Sequence, residues 1–346
     1  MLKNDKQRRA EHDAIRTGVG YYDFTHEMVD VKGEDVAEFL DTLFVNSIAA
    51  TPISEGVYTT MLNEDAEIID DLILFRLAYD HYWVSTLYAD QMIEILDANK
   101  GDYDVEYEEI TDRLSMFAVQ GPKSPLVMNK ILDQPIKDRK FFTIFENSIG
   151  GVDVRIARAD FTGEYGYEIY IHPDHLDMLR EKLDEAGEEY GICELQSDVV
   201  LKSLPVEKGF VLMSDLEGLT PNEALFGWTV DNSTDFIGKE ALQERPKNTL
   251  RLRGYRVIDW NEEVEIEEGE GEVFYQGEKV GDVTSFTYGY TVDSYIGFAL
   301  VDTDKIARNL PVTIKSNGKE YRALTQDRIF YDTDDTRRRQ YLADGK

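Results

Sequence analysis

DFTGEYGYEI, residues 160–169, decides the reading of this chain. Gly163 and Gly166 open backbone geometry closed to other residues, which predicts a turn leading into a strand. Tyr165, Tyr167 and Ile169 alternate as one face of that strand, so Glu168 falls on the opposite face. A carboxylate bordering a cavity accepts two hydrogen bonds from a flat heterocycle that carries an amino group beside a ring N–H, as a pterin does. The other reading of the pattern is a Glu168 that points to water, as most strand carboxylates do.

The stretch resembles the glycyl-tyrosyl-threonyl-glycyl-glutamyl motif of the glycine-cleavage T-protein family, the tetrahydrofolate-dependent aminomethyltransferases. The resemblance continues in order through EHDAIRTGVGYYDFTH (residues 11–26), YTTMLNEDAEIIDDLILFRL (58–77), SMFAVQGPKS (115–124), LTPNEALFGW (219–228), DFIGKEAL (235–242) and VTSFTYGYTVDSYIGFALV (283–301). It implies an α+β fold with a multi-lobed folate-binding region of two interleaved lobes over residues 1–245. A carboxy-terminal β-barrel over 246–335 and a polar, frayed tail over 336–346 complete the expected partition. Tetrahydrofolate is the implied cofactor.

Composition narrows the class. With 346 residues, 42% of them hydrophobic, the chain can bury a large core in two or three domains. No run is apolar enough to span a bilayer, and MLKNDKQRRAEHD lacks the core of a secretion signal, so a cytoplasmic enzyme is expected. The single cysteine, Cys193 in GIC, reads as a buried residue; it excludes an internal disulfide and suits a reducing compartment. A net charge of −32 sets the surface against nucleic acid and anionic membranes.

Periodicity supplies the elements. GEDVAEFLDTLF (33–44) carries Val36, Phe39, Leu40 and Leu43 at helical spacing with Asp35 placed to cap, and HPDHLDMLREKLDEAGEEYG (172–191) does the same with Gly187 as its stop. Residues 61–77 read as two strands about a turn at 63–66, and VDVRIARADF pairs with YEIYI. Past Pro246 come short strands with turn signals at Gln276-Gly277 and Asn317-Gly318.

The resemblance assigns roles to particular residues. It carries the pterin clamp over to Glu168. T-proteins hold an aspartate shortly after a valine-asparagine strand end, but residues 80–96 read DHYWVSTLYADQMIEIL without the asparagine. Counting forward puts Glu94 at the aspartate, counting back puts Met92 there, and Asp90 lies nearby; Asp90 and Glu94 also fit a solvated helix face. His26 matches a family histidine and is either an acid or a hydrogen-bonded structural residue. The arginine expected to grip the folate tail is absent from LQSDVVLKSLPVEKGF (195–210), leaving Lys202 as its replacement. Tyr58, Tyr88, Phe161 and Trp228 can stack on the folate rings or sit in ordinary core. The histidines form no metal-ligand pattern, so no metal is expected.

These features favour a tetrahydrofolate-dependent one-carbon transferase. VEKGF at 206–210 resembles the branch with sarcosine and dimethylglycine dehydrogenase folate domains, and about thirty residues that usually precede the segment matched by 11–26 are missing. Together they point to a demethylase-like enzyme that takes a methyl or methylene group from a small methylated amine, sulfonium or aryl ether. A lipoyl carrier protein is then not expected, and an acidic surface would repel one. The alternatives are a glycine-cleavage aminomethyltransferase and a folate-binding sensor without turnover.

Overall fold

The computed structural model describes residues 3–245, 249–260 and 262–340. The expected boundary at Pro246 and the tail residues 341–346 lie outside the described residues.

Two sheets and a barrel surround the centre of the molecule. The first sheet runs in the order Cys193–Glu194, Gly20–Asp23, Ser115–Gln120, Gly166–Ile171, Val152–Ala157, Ile144–Ile149. All its neighbours are antiparallel except the parallel Gly20–Asp23/Cys193–Glu194 pair. Tyr167 and Ile169 point to the side covered by helices Ser124–Ile131 and Leu176–Gly187, whose Val127, Met128, Leu179 and Leu183 close one core. Period-2 alternation in the strand and 3.6-residue spacing in the helices meet on that face.

The second sheet is inserted in sequence between strands of the first. Its order is Glu55–Leu62, Ile68–Ala78, His81–Thr86, Glu27–Lys32, Glu106–Glu109. Helices Val36–Asp41 and Ala89–Asn99 cover its outer face, packing Phe39, Leu40, Met92 and Leu96 on Val29, Leu72, Leu74 and Val84. Asp35 precedes its helix but makes no side-chain cap; its carboxylate accepts from the Asp104 backbone N–H instead. The inner faces of the two sheets meet through Met28, Phe75 and Trp83 against Met116, Ala157 and Tyr170.

Residues 250–326 close a six-stranded barrel in the order Leu250–Val257, Ser294–Asp302, Glu278–Gly289, Glu272–Tyr275, Pro311–Ser316, Lys319–Gln326. Its two tight hairpins turn at Gln276-Gly277 (φ +50°, +86°) and Asn317-Gly318 (φ +52°, +71°), the double left-handed conformation that such dipeptides tolerate. Leu252, Ile296, Phe298 and Phe330 of this part pack on Val45, Leu62, Val206, Val211 and Phe226.

Two expectations are corrected here. Cys193 is half-buried, because its two-residue strand lies at the sheet edge. Residues 336–340 are not frayed: Arg337 binds Glu164 at 3.1 Å and the Arg16 carbonyl at 2.6 Å, while Arg338 binds Asp160. Charge patterning alone marks such a segment as solvated, but here buried carboxylates receive its arginines.

Candidate functional site

The turn before strand Gly166–Ile171 is built from its own side chains. Gly163 has φ +79°, and a Cβ there would lie 2.6 Å from Lys208 Cγ. Gly166 serves for a different reason, close approach: a Cβ would sit 2.4 Å from the Gln120 amide. That amide donates to the Ala159 carbonyl at 3.1 Å and accepts from Thr162 Oγ1 at 3.1 Å, which pins the turn over the sheet.

Glu168 then faces inward. Its partners on the flanking strands are Ala118 and Ala157, whose small side chains crowd the carboxylate little. Glu168 is 6% exposed, Oε2 accepts from Tyr170 Oη at 2.9 Å, and Oε1 has no partner among the described residues. Burial pushes its carboxyl up to about 7, against the Tyr170 hydrogen bond and helped by the charge of Asp160. Tyr22 stands opposite Ala118 on the other side, and its buried hydroxyl has no hydrogen-bond partner. Two strand spacings separate Tyr22 from Glu168, about 10 Å. An orphaned hydroxyl and an open carboxylate oxygen on one face are what a polar ligand edge would satisfy.

Aromatic rings extend from this point. Phe24 contacts Tyr22 at 5.5 Å and stacks on Phe161 at 5.7 Å, and Phe161 stacks on Phe210 at 5.7 Å. His26 lies 4.7 Å from Phe24 and shares a 3.2 Å hydrogen bond with Ser85. Burial pushes its imidazole down to about 4, so it is neutral at pH 7 and not a ready proton donor.

On the second sheet, strand Ile68–Ala78 turns Asp71, Ile73 and Phe75 inward, the last two packing in the cluster that contains Tyr170. Asp71 accepts from Tyr58 Oη at 2.9 Å, with Asp215 and Arg328 close to the pair. Burial pushes Asp71 up to about 6 against the Tyr58 bond. Tyr58, Asp71 and Arg328 lie deep in the molecule, yet each keeps part of its surface open. Asp70 points the other way, accepts from Thr86 at 2.5 Å, and is pushed by burial up to about 7.

The structure thus links Glu168, Phe161 and His26 through Tyr22 and Phe24, while Tyr58 pairs with Asp71 on the second sheet. Trp228 stacks on Tyr58 at 6.3 Å and is 71% exposed, and Tyr88 is also exposed. Asp90 and Glu94 stand on the solvated face of helix Ala89–Asn99, whose buried face is Ala89, Met92 and Leu96; neither side chain has a hydrogen bond or ion pair among the described residues. The site therefore does not gather them. Lys202 is taken by both oxygens of Glu268 at 2.8 Å, in a groove that also carries Asp198, and such a groove does not attract an anionic tail. Sequence reasoning missed Tyr22, Asp71 and Arg328. The signal for Asp71 was present: two aspartates inside the apolar strand pattern IIDDLIL.

Beneath the site lies a buried ionic network. Arg16 binds Glu207 at 3.0 Å and Glu164 at 3.3 Å, and Glu164 also accepts from Tyr331 at 2.8 Å. Burial works to raise Glu207, but the hydrogen bonds and charges of His12 and Arg16 outweigh it and hold it at about 2. Burial also keeps His12 below its ordinary value, against the hydrogen bond and charge of Glu207.

Comparison with known proteins places this arrangement. Residues 3–234 match the GCVT N-terminal domain, and residues 251–332 match the glycine cleavage T-protein C-terminal barrel domain. The chain is 32% identical over 334 residues to an aminomethyltransferase of Alkaliphilus oremlandii, covering 93% of this chain and 89% of the relative. It is 30% identical over 331 residues to that of Thermoanaerobacter sp. (strain X514), with the same coverage. The glycine cleavage system aminomethyltransferase T of Bartonella henselae superposes with a TM-score of 0.83 at 24% identity, covering 97% of this chain and 91% of that one, which supports the fold.

These relatives correct the expected partner. Enzymes matched over nearly their whole length are aminomethyltransferases, so a small free donor and the exclusion of a lipoyl carrier protein do not stand. The start of the chain was no guide to the donor, and a net charge sums the whole surface whereas docking is local. Among the described residues, no helix is long and apolar enough to cross a membrane. The chain belongs to the glycine cleavage T-protein family, enzymes that transfer one-carbon groups with tetrahydrofolate.

Proposed function

We propose that this protein is an aminomethyltransferase that passes the methylene carbon of an aminomethyl group, carried on the lipoyl arm of a carrier protein, to tetrahydrofolate with release of ammonia. The observation that carries the reading is Glu168, a buried carboxylate with one oxygen open between Ala118 and Ala157. The relatives' activity favours an aminomethyl donor over the demethylase-like one.

Tetrahydrofolate supplies the nitrogens that receive the carbon. Ionised Glu168 accepts from the amino and ring N–H edge of the pterin, and the orphaned Tyr22 hydroxyl gains a partner. Phe24, Phe161 and Phe210 wall the ring and exclude water, which strengthens the charged hydrogen bonds. Asp71, raised to about 6, is poised to take and return a proton near neutral pH at its carboxyl oxygens, with the Tyr58 hydroxyl holding it in place. Neutral His26 positions Phe24 and Ser85. The unpaired, half-buried Cys193 supports a reducing compartment such as the cytoplasm.

Steady-state ammonia release with aminomethyl-loaded carrier and tetrahydrofolate tests the proposal. Turnover supports it. Folate binding without ammonia release from any carrier would leave a sensor, and the proposal would fall.

A further inference from the structure

The segment that follows the barrel crosses back over the folate side of the molecule. Lys208, 3% exposed, holds the Asp332 carbonyl at 2.9 Å and the Asp335 carboxylate at 2.9 Å. Arg337 is fixed on Glu164 and the Arg16 carbonyl, and the Arg338 carbonyl accepts from the Arg158 guanidinium. Both Nε and Nη2 of Arg338 reach one oxygen of Asp160, at 3.1 and 3.0 Å, and that carboxylate is fully buried. The other oxygen of Asp160 accepts from the Gly163 N–H at 2.8 Å, so the ion pair sets the turn that carries Phe161.

The same guanidinium lies over two rings, 4.0 Å from the centre of Phe141 and 5.3 Å from that of Phe210. Phe210 is the ring on which Phe161 stacks. One side chain thus holds two supports of the aromatic wall, one through charge and one through its flat cationic face. Removing it would leave a buried carboxylate without a counter-ion, close enough to Glu168 to oppose its ionisation.

We propose that Arg338 is a positioning residue for the folate: by clamping Asp160 and covering Phe210 it fixes the Phe161 wall beside Glu168, and the post-barrel segment is part of the binding site. The inference rests on the folate reading given above.

The test measures tetrahydrofolate affinity by calorimetry under reducing conditions for the full-length protein and its variants. Arg338→Ala is expected to raise the Kd about tenfold, and the KM for folate with it, while the KM for loaded carrier stays unchanged. Arg338→Lys, which keeps the charge without the two-pronged geometry, should recover part of the loss. Arg339→Ala serves as the control, because Arg339 is 73% exposed and its ion pair among the described residues is with Asp335 alone. If Arg338→Ala folds poorly, the double variant Asp160→Asn/Arg338→Ala removes both buried charges and should still bind folate weakly. Folate affinity within twofold of wild type in Arg338→Ala, or in the double variant, would overturn the inference alone. A wild-type protein that binds no tetrahydrofolate would overturn the folate reading, and this inference with it.

Discussion

Replacing Glu168 with glutamine should improve the empty protein and ruin its site. The group's ordinary value of 4.5 rises to about 7 in the folded chain because burial disfavours the charge. In the unfolded chain the proton leaves near the ordinary value, and in the folded chain only near 7. The stability of the acid form is therefore complete below about 4.5, declines between there and 7, and is gone at pH 8. A shift of this size corresponds to about 3 kcal/mol. Glutamine keeps the shape, still accepts from Tyr170, and carries no charge. Unliganded Glu168→Gln should thus melt roughly 5 °C above wild type at pH 8, and level with it at pH 4.

Folate affinity moves the other way. Losing charge-assisted hydrogen bonds to the pterin edge costs about 1.5–3 kcal/mol, roughly a 10- to 150-fold rise in Kd at pH 8. Scanning calorimetry of the empty protein and titration calorimetry with tetrahydrofolate read the two effects separately. An unchanged folate Kd would remove Glu168 from the binding site. A lower melting temperature at pH 8 would mean that the carboxylate is already satisfied within the fold.

The other predictions are narrower. Asp71→Asn should lower kcat on the order of 100-fold with KM nearly constant, while Asp90→Asn and Glu94→Gln stay within about twofold of wild type. Lys202→Ala should leave folate affinity within about twofold at both low and high salt, since an exposed pair with Glu268 contributes little; a large, salt-dependent loss would restore it as the tail clamp. Arg16→Ala should cost about 3–5 kcal/mol in urea unfolding, because Glu207 and Glu164 would be left buried without their shared cation. Glu207, held at about 2 in the fold, stabilises the protein fully above about 4.5. That contribution should drain away as pH falls from there toward 2, and Glu207→Gln should flatten the acid limb of the stability profile.

Local pattern made much of the fold legible. The alternation of Tyr165, Tyr167 and Ile169 opposite Glu168 appears intact, since an apolar core under helices leaves a strand one register. The barrel hairpins at Gln276-Gly277 and Asn317-Gly318 were legible because their backbone demands those residues. Contacts remote in sequence were not. Nothing in a run of arginines says that Arg337 and Arg338 will meet Glu164 and Asp160, more than 170 residues away. Lys202 carries the right charge, but Glu268 reaches it only once the barrel has docked. Counting along a helix could not choose among Asp90, Met92 and Glu94, whereas the fold puts the carboxylates in water and Met92 in the core.

The most direct test of the whole account follows the carbon. Carrier protein loaded with a ¹³C-labelled aminomethyl group is mixed with enzyme and tetrahydrofolate, and products are read by mass spectrometry and an ammonia assay. Labelled methylenetetrahydrofolate and ammonia are expected in equal amounts, with Glu168→Gln needing far more folate to reach the same rate. Label that stays on the carrier, while a small methylated amine yields methyltetrahydrofolate without ammonia, would contradict it.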